Sequence, residues 1–203
     1  MSTSFKVKKQ LERLKPEIQK WLKNTLTSKR CAHIERVVKT AKKYAKKLRL
    51  DPYKVELSAL LHDISKETPG IKLLQIAKKK RLKIDSIDKI NPHVLHARVG
   101  AELAKEKFKI RDGDILAGIR CHTLAEPNMS KIAMVVYLAD ATEPSRDKKT
   151  TRSIKRTLEQ YGLEWAVLQA IDGKLVDVIK KGKRVHPLTV EARNWLISHI
   201  RQK

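Results

Sequence analysis

Apolar residues along this chain recur at intervals of three and four, and almost nowhere at intervals of two. Between Lys6 and Leu26, the residues Leu11, Leu14, Ile18, Trp21 and Leu22 fall on one stripe, with Pro16 a point where the helix could break. His33, Val37, Ala41, Tyr44 and Leu48 make a second stripe. Asp51 and Pro52 have the chemistry of an N-cap and first turn, and Pro69-Gly70 closes the segment they open. The same period predicts helices over 71–81, 94–107, 113–123, 130–141, 152–161, 163–180 and 188–201, with starts at Asp112 and Ser130 and a stop at Gly182. Only "KRVHP", 183–187, reads as extended. The pattern predicts an all-α chain: a basic helical extension over residues 1–28, then one helical domain over 29–203.

Composition narrows the class. Hydrophobic residues are 41% of the 203, enough for a folded core. Aromatics at 4% and seven each of Gly and Pro favour helices over a sandwich or barrel. Cys31 and Cys121 stand far apart with no CxxC, which argues against a disulfide framework and for a reducing compartment. The N-terminus has no apolar signal core, and the longest apolar run, Ile132 to Ala139, is too short to span a bilayer. The expectation is a cytoplasmic protein without membrane contact.

Charge adds a partner class without choosing one. The 46 Lys and Arg against 22 acidic residues give +24. A field of that sign attracts nucleic acid, an acidic surface or a multiply phosphorylated small molecule. A solvated lysine-rich surface explains it equally well. The cations lack the interleaved aromatics of a single-strand binder.

Several polar residues interrupt the apolar faces. His33 heads the second stripe, His62 and Asp63 follow Leu60-Leu61, His96 shares spacing with Val99 and Leu103, His122 follows Ile115 and Ile119, and Asp140 ends "IAMVVYLAD". Burying such groups costs free energy unless each finds a partner. Singly, each has an ordinary solution as a hydrogen-bonded core residue or a helix cap. Together, with the adjacent His62 and Asp63 taken as one, they would need five separate solutions, whereas one divalent cation satisfies most of them. Imidazoles and carboxylates from different helices suit iron, manganese or zinc.

The segments "KRCAHIERV", "ALLHDISKE", "NPHVLHARVGAELA", "GIRCHT", "VVYLADATEPSRD" and "HPLTVEARNWL", in that order, resemble the HD superfamily of metal-dependent phosphohydrolases. Within it they are most similar to the YqeK family of bacterial symmetrical diadenosine tetraphosphatases. The resemblance runs from about Lys29 to Leu196 and implies a helical bundle with a metal centre between helices. It implies His33, His62, Asp63 and Asp140 as ligands of a tightly held iron, in a mono- or dinuclear centre. It implies His96 and His122 facing a second metal or the substrate, and Arg30, Lys66, Thr123 and Arg146 contacting the nucleotide. The loop Gly182, Lys183, Arg184, Val185 and His186 is placed near base and ribose. Cys31 stands where family members carry an aromatic, and "DATEPSRD" varies on "DYIEPGRD"; neither change removes a ligand.

The activity so implied is hydrolysis of a dinucleoside polyphosphate to two ADP, with Lys66, His96 and His122 nearest the chemistry. Lys66, three residues after Asp63, is expected on the same helical face. An HD nucleotidase or phosphodiesterase acting on another nucleotide stays open, as does a basic nucleic-acid-associated protein. A homodimer is neither required nor excluded.

Overall fold

The computed structural model describes residues 3–201, and within them every regular element is helical. In chain order they are α1 (Thr3–Thr25), α2 (Ser28–Lys47), α3 (Pro52–Leu61), α4 (Gly70–Lys79), the short α5 (Ser86–Ile90), a 3-10 turn (Pro92–Leu95), α6 (His96–Lys107), α7 (Gly113–Cys121), α8 (Lys131–Thr142), α9 (Lys148–Gln160), α10 (Leu163–Lys180) and α11 (Pro187–Arg201). Segment 183–186 is irregular and pairs with no strand.

Two short helices are apolar on nearly all sides and therefore lie innermost. In α3 every residue from Val55 to Leu61 is buried, and in α8 every residue from Ile132 to Ala139. The α2 helix packs against both, α7 lies against both, and α6 covers α7. On the far side of α8, α10 carries α9 and α11. The α1 helix packs on α3 and puts Val7, Leu11, Leu14, Ile18, Leu22 and Leu26 into a cluster with Ile34, Leu57, Leu61 and Phe108. Lys15 of α1 and Lys42 of α2 meet the buried carboxylate of Glu56 at 2.6 and 2.5 Å, so the outer helix is tied to the core by charge as well.

Packing of α3 on α7 sets the relative placement of His62 and His122, which end these two helices. Lys54 bridges from α3 to Asp112 and Asp114 at the start of α7, at 2.9 and 2.8 Å. Further along, Gly118 approaches Ser58 so closely that a Cβ would lie 2.8 Å from the serine side chain. Here glycine is required by proximity, because any side chain would push the two helices apart.

Element boundaries differ from the sequence expectation where local polarity hid them. Helix α1 runs through Pro16 without a break; its stripe stays packed and only one intrahelical donor is lost. The helix opened by Asp51 stops at Leu61, well before Pro69, and residues 62–67 form tight turns with Lys66 N–H donating to the Asp63 carbonyl at 2.9 Å. Lys66 thus stands in a turn, not on a shared helical face. The expected 94–107 helix divides into the 3-10 turn and α6. Helix α9 begins four residues early, capped by Asp147, because Lys148–Thr151 offer no apolar period to read. Helix α5 escaped notice, although its Asp85–Asp88 capping box is a readable start signal. Gly182, at φ 61°, takes the left-handed position just past α10, where its N–H and that of Lys183 close onto the carbonyls of Ile179 and Val178.

Replacing Gly118 by Ala should destabilise the protein by about 1–3 kcal/mol through overpacking. Chemical denaturation of the purified variant reads this directly, and an unchanged midpoint would show that α3 and α7 can separate at no cost.

Candidate metal centre

Four imidazoles and two carboxylates from five helices and their ends converge in the interior. His33 lies within α2 and Asp140 near the end of α8. His62 caps the end of α3, with Asp63 next to it; His122 caps the end of α7; His96 is the first residue of α6. So the vicinal His-Asp pair sits beyond its helix, not on it. Turn geometry frees the two adjacent side chains to face a common point, which the 100° step of a helix opposes.

Three of the imidazoles are oriented in the same way. Each directs Nδ1 at the carbonyl three residues earlier: His62 at Ala59 (2.7 Å), His96 at His93 (2.5 Å) and His122 at Ile119 (2.8 Å). A carbonyl only accepts, so Nδ1 must carry the hydrogen, and in the neutral ring Nε2 is then a bare lone pair. His33 Nδ1 is held by the carboxylate of Glu143 at 3.3 Å. Glu143 is wholly buried and is itself fixed by Arg36 Nε at 2.7 Å and by the Ser145 N–H at 2.9 Å. This is the carboxylate–histidine arrangement that sets tautomer and basicity behind metal ligands.

All four Nε2 atoms face the same small space. His33 Nε2 lies 3.2 Å from Asp140 and 3.7 Å from Asp63; His62 Nε2 lies 3.5 Å from Asp63. His96 and His122 Nε2 are each 3.3 Å from the other Asp63 oxygen and 3.1 Å from one another. Acceptors at such distances repel unless a proton or a cation lies among them. Burial pushes the His122 ring down to about 4 despite its contact with Asp63, so it is neutral near pH 7. Burial likewise lowers His96, whereas for His62 burial is outweighed by the charge and hydrogen bond of Asp63, the charge of Asp140 and the Ala59 carbonyl acting together, and the ring is raised. Burial would raise both carboxyls, but surrounding histidines, with Arg146 at Asp140, hold Asp63 and Asp140 well below the usual carboxylate range.

The Nε2 atoms of His33 and His62 are buried without a hydrogen-bond partner. Ligand atoms of His33, His62 and Asp140 form one group with spacing fit for a metal ion, and those of His62, Asp63 and His122 form another. Neutral nitrogens, carboxylates and orphaned lone pairs suit a divalent cation.

Cations surround the centre. Arg30 donates to Asp63 at 2.8 Å, and Arg146 holds the Asp140 carboxylate and donates from Nε to its carbonyl at 2.8 Å. Lys66 Nζ reaches His96 Nε2 at 3.2 Å, and the Thr123 hydroxyl lies 3.0 Å from both His96 and His122. A cleft of about 420 Å³ opens beside them, lined by His122, Tyr137, Asp140, Arg146, Thr150 and Lys174. Lys174, from α10, donates to the Thr123 carbonyl.

The Gly182–His186 loop has its described contacts elsewhere. His186 is buried against Asp88 of α5 at 3.3 Å, and Arg98 holds the same carboxylate. Sequence reading missed Glu143, Arg36 and Lys174. Arg36 follows His33 by one turn and Glu143 follows Asp140 by three residues, so both could have been found from the ligands. Nothing distinguishes Lys174 among the other basic residues until the chain folds.

Residues 30–145 match the family model of the HD domain. The chain belongs to the HD family. Among HD proteins it is 34% identical to the symmetrical bis(5'-nucleosyl)-tetraphosphatase of Bacillus subtilis, over 87% of this chain and 94% of that one. It is 31% identical to the protein of the same name from Halalkalibacterium halodurans, over 87% and 93%. A solved protein from Clostridium acetobutylicum, described as a predicted HD superfamily hydrolase involved in NAD metabolism, is 35% identical and superposes with a TM-score of 0.86 over 91% of this chain and 97% of its own. HD chemistry is metal-dependent, in keeping with the imidazoles and carboxylates gathered around Asp63. Among the described residues no helix is long and apolar enough to cross a membrane.

Replacing Glu143 by Gln should weaken metal binding about 10–100-fold, as loss of an oriented outer carboxylate does elsewhere. Its carboxyl, which burial would raise, is brought down to about 2 by Ser145, Arg36 and His33. Because the unfolded value is about 4.3, its stabilisation is full above that pH and fades as pH falls toward 2. The metal-free variant should therefore be less stable than wild type by about 1–3 kcal/mol at pH 7, and the gap should begin to narrow below about pH 4 and vanish near pH 2.

Proposed function

We propose that this protein hydrolyses dinucleoside tetraphosphates symmetrically, converting diadenosine tetraphosphate and water to two ADP. The observation that carries this reading is a complete HD donor set in a chain with close to full-length similarity to proteins bearing that name. In it the active unit occupies residues 29–203 and residues 1–28 are a basic extension, whose helix α1 packs on α3 as an outer layer. Two free thiols suit the reducing cytoplasm.

His33, His62, Asp63 and Asp140 would hold the cation, with iron the metal we favour and manganese or zinc the alternatives. Such a cation supplies Lewis acidity toward a phosphoryl oxygen and makes water a nucleophile near neutral pH. The chain's own part is to position the substrate and balance its charge. A tetraphosphate bridge carries about one negative charge per phosphate at neutral pH, and Lys66, Arg146 and Lys174 flank the cleft and the centre to meet it. Arg30 keeps a buried Nε without an acceptor, a donor free for a phosphate oxygen while its other arm steadies Asp63. His96 and His122 turn bare Nε2 lone pairs toward the place of a departing phosphate oxygen, so either ring can act as an acid there only after taking up a proton, which Lys66, 3.2 Å from His96 Nε2, can supply. The Thr123 hydroxyl, between the two rings, has one hydrogen to give and orients whichever ring accepts it. Gly182, Lys183, Arg184, Val185 and His186 are proposed to border the nucleoside, with the His186–Asp88 pair fixing the loop's shape.

Product analysis tests the reaction. Incubating the metal-loaded protein with diadenosine tetraphosphate should yield ADP as the sole nucleotide. AMP with ATP, or a nucleoside, would instead indicate another HD nucleotidase or phosphodiesterase. Replacing Asp63 or Asp140 by Ala should abolish both turnover and bound metal, measured by elemental analysis. Lys66→Ala should cut kcat/KM by about 10²-fold, in the range for one lost charged contact to phosphate, and retain the metal.

A further inference from the structure

The outer face of α9 carries an unusual row of charge. Lys148, Arg152, Lys155 and Arg156 recur at i, i+4, i+7 and i+8, and all are exposed. None of the four lies within ion-pair distance of a carboxylate among the described residues; nearby Glu159 is paired with Lys47 instead. Like charges at i, i+4 destabilise a helix by a few tenths of a kcal/mol per pair, and Lys148/Arg152 and Arg152/Arg156 are two such pairs. The helix tolerates the row because its opposite face buries Ile154 and Leu158.

These four side chains line a groove of about 540 Å³ together with Pro144, Thr151, Arg146 and one carboxylate, Glu159, whose charge is met by Lys47 at 3.5 Å. Arg146 also lines the cleft at Asp140, so groove and cleft meet at its guanidinium. Thr151 is 8% exposed, and its hydroxyl oxygen is buried with no hydrogen-bond partner. The groove therefore offers four unpaired cations and an unsatisfied hydroxyl. It has no aromatic ring to stack a base, which a single-stranded nucleic-acid site would be expected to supply.

We propose that the α9 face formed by Lys148, Thr151, Arg152, Lys155 and Arg156 is a binding site for a linear phosphoanhydride chain, continuous with the cleft through Arg146. Ligands with more phosphates than the cleft accommodates would extend along it. The row covers about 12 Å at 1.5 Å per residue. Continuity with a substrate cleft rests on the hydrolase reading; binding to the groove does not.

The test uses the full-length, metal-loaded protein, a medium-chain inorganic polyphosphate and calorimetry. Arg152→Gln with Arg156→Gln should weaken polyphosphate binding at least about 10-fold and flatten the plot of log K against log salt by about 1.4, at about 0.7 per charge. Chelation of metal by the polyphosphate is common to both proteins and cancels in the comparison. Polyphosphate should compete with diadenosine tetraphosphate, and an oligonucleotide of matched charge should bind more weakly. Equal affinity in the double variant, non-competitive behaviour or tighter oligonucleotide binding would each overturn the proposal. Absence of dinucleotide hydrolysis would remove the hydrolase function and leave calorimetry to decide the groove.

Discussion

Everything in this molecule is arranged around one electrostatic problem: buried lone pairs that face each other. His96 and His122 approach to 3.1 Å through nitrogens whose opposite edges already donate to backbone carbonyls, with an Asp63 oxygen 3.3 Å from each. In an apolar interior such a contact is unfavourable unless positive charge enters it. The protein supplies part of that charge through Arg30, Lys66 and Arg146 and leaves the buried Nε2 atoms of His33 and His62 unpartnered. A divalent cation completes the arrangement.

The device that holds the imidazoles in place is backbone geometry. His62, His96 and His122 all stand where a helix or 3-10 turn ends or begins, and each pins Nδ1 to the carbonyl three residues earlier. Carbonyls near helix ends keep a lone pair open to a side-chain donor, so one hydrogen bond to the backbone fixes each ring. His33, inside α2, has no such carbonyl available and uses Glu143 instead. That substitution makes the segment after α8 part of the centre, since Glu143, Ser145 and Arg146 all bear on it.

The HD match ends at residue 145, yet the cleft does not. Lys174 of α10 and Thr150 of α9 form its outer wall, and Arg146 joins it to the α9 groove. The candidate ligands belong to the segment that matches the family, while the charge proposed to meet an extended anion lies partly on helices that follow it. A basic chain of this kind directs part of its excess charge to one place and leaves the rest on solvated surface.

Helical period alone located most of the helices, because buried stripes such as Leu11 to Leu22 and His33 to Leu48 repeat every three or four residues. The unpartnered polar residues on those stripes marked the site before any fold was known. What period could not reveal was where helices stop: the turn at His62–Glu67 and the polar start of α9 carry no apolar rhythm. Nor could it identify Glu143 as support for His33, or choose Lys174 among 46 basic residues. Burial cost is written in the local sequence, so the chain itself determined that these polar groups needed partners. Which groups answer that need depends on contacts between residues a hundred positions apart, and only packing of the helices decided them.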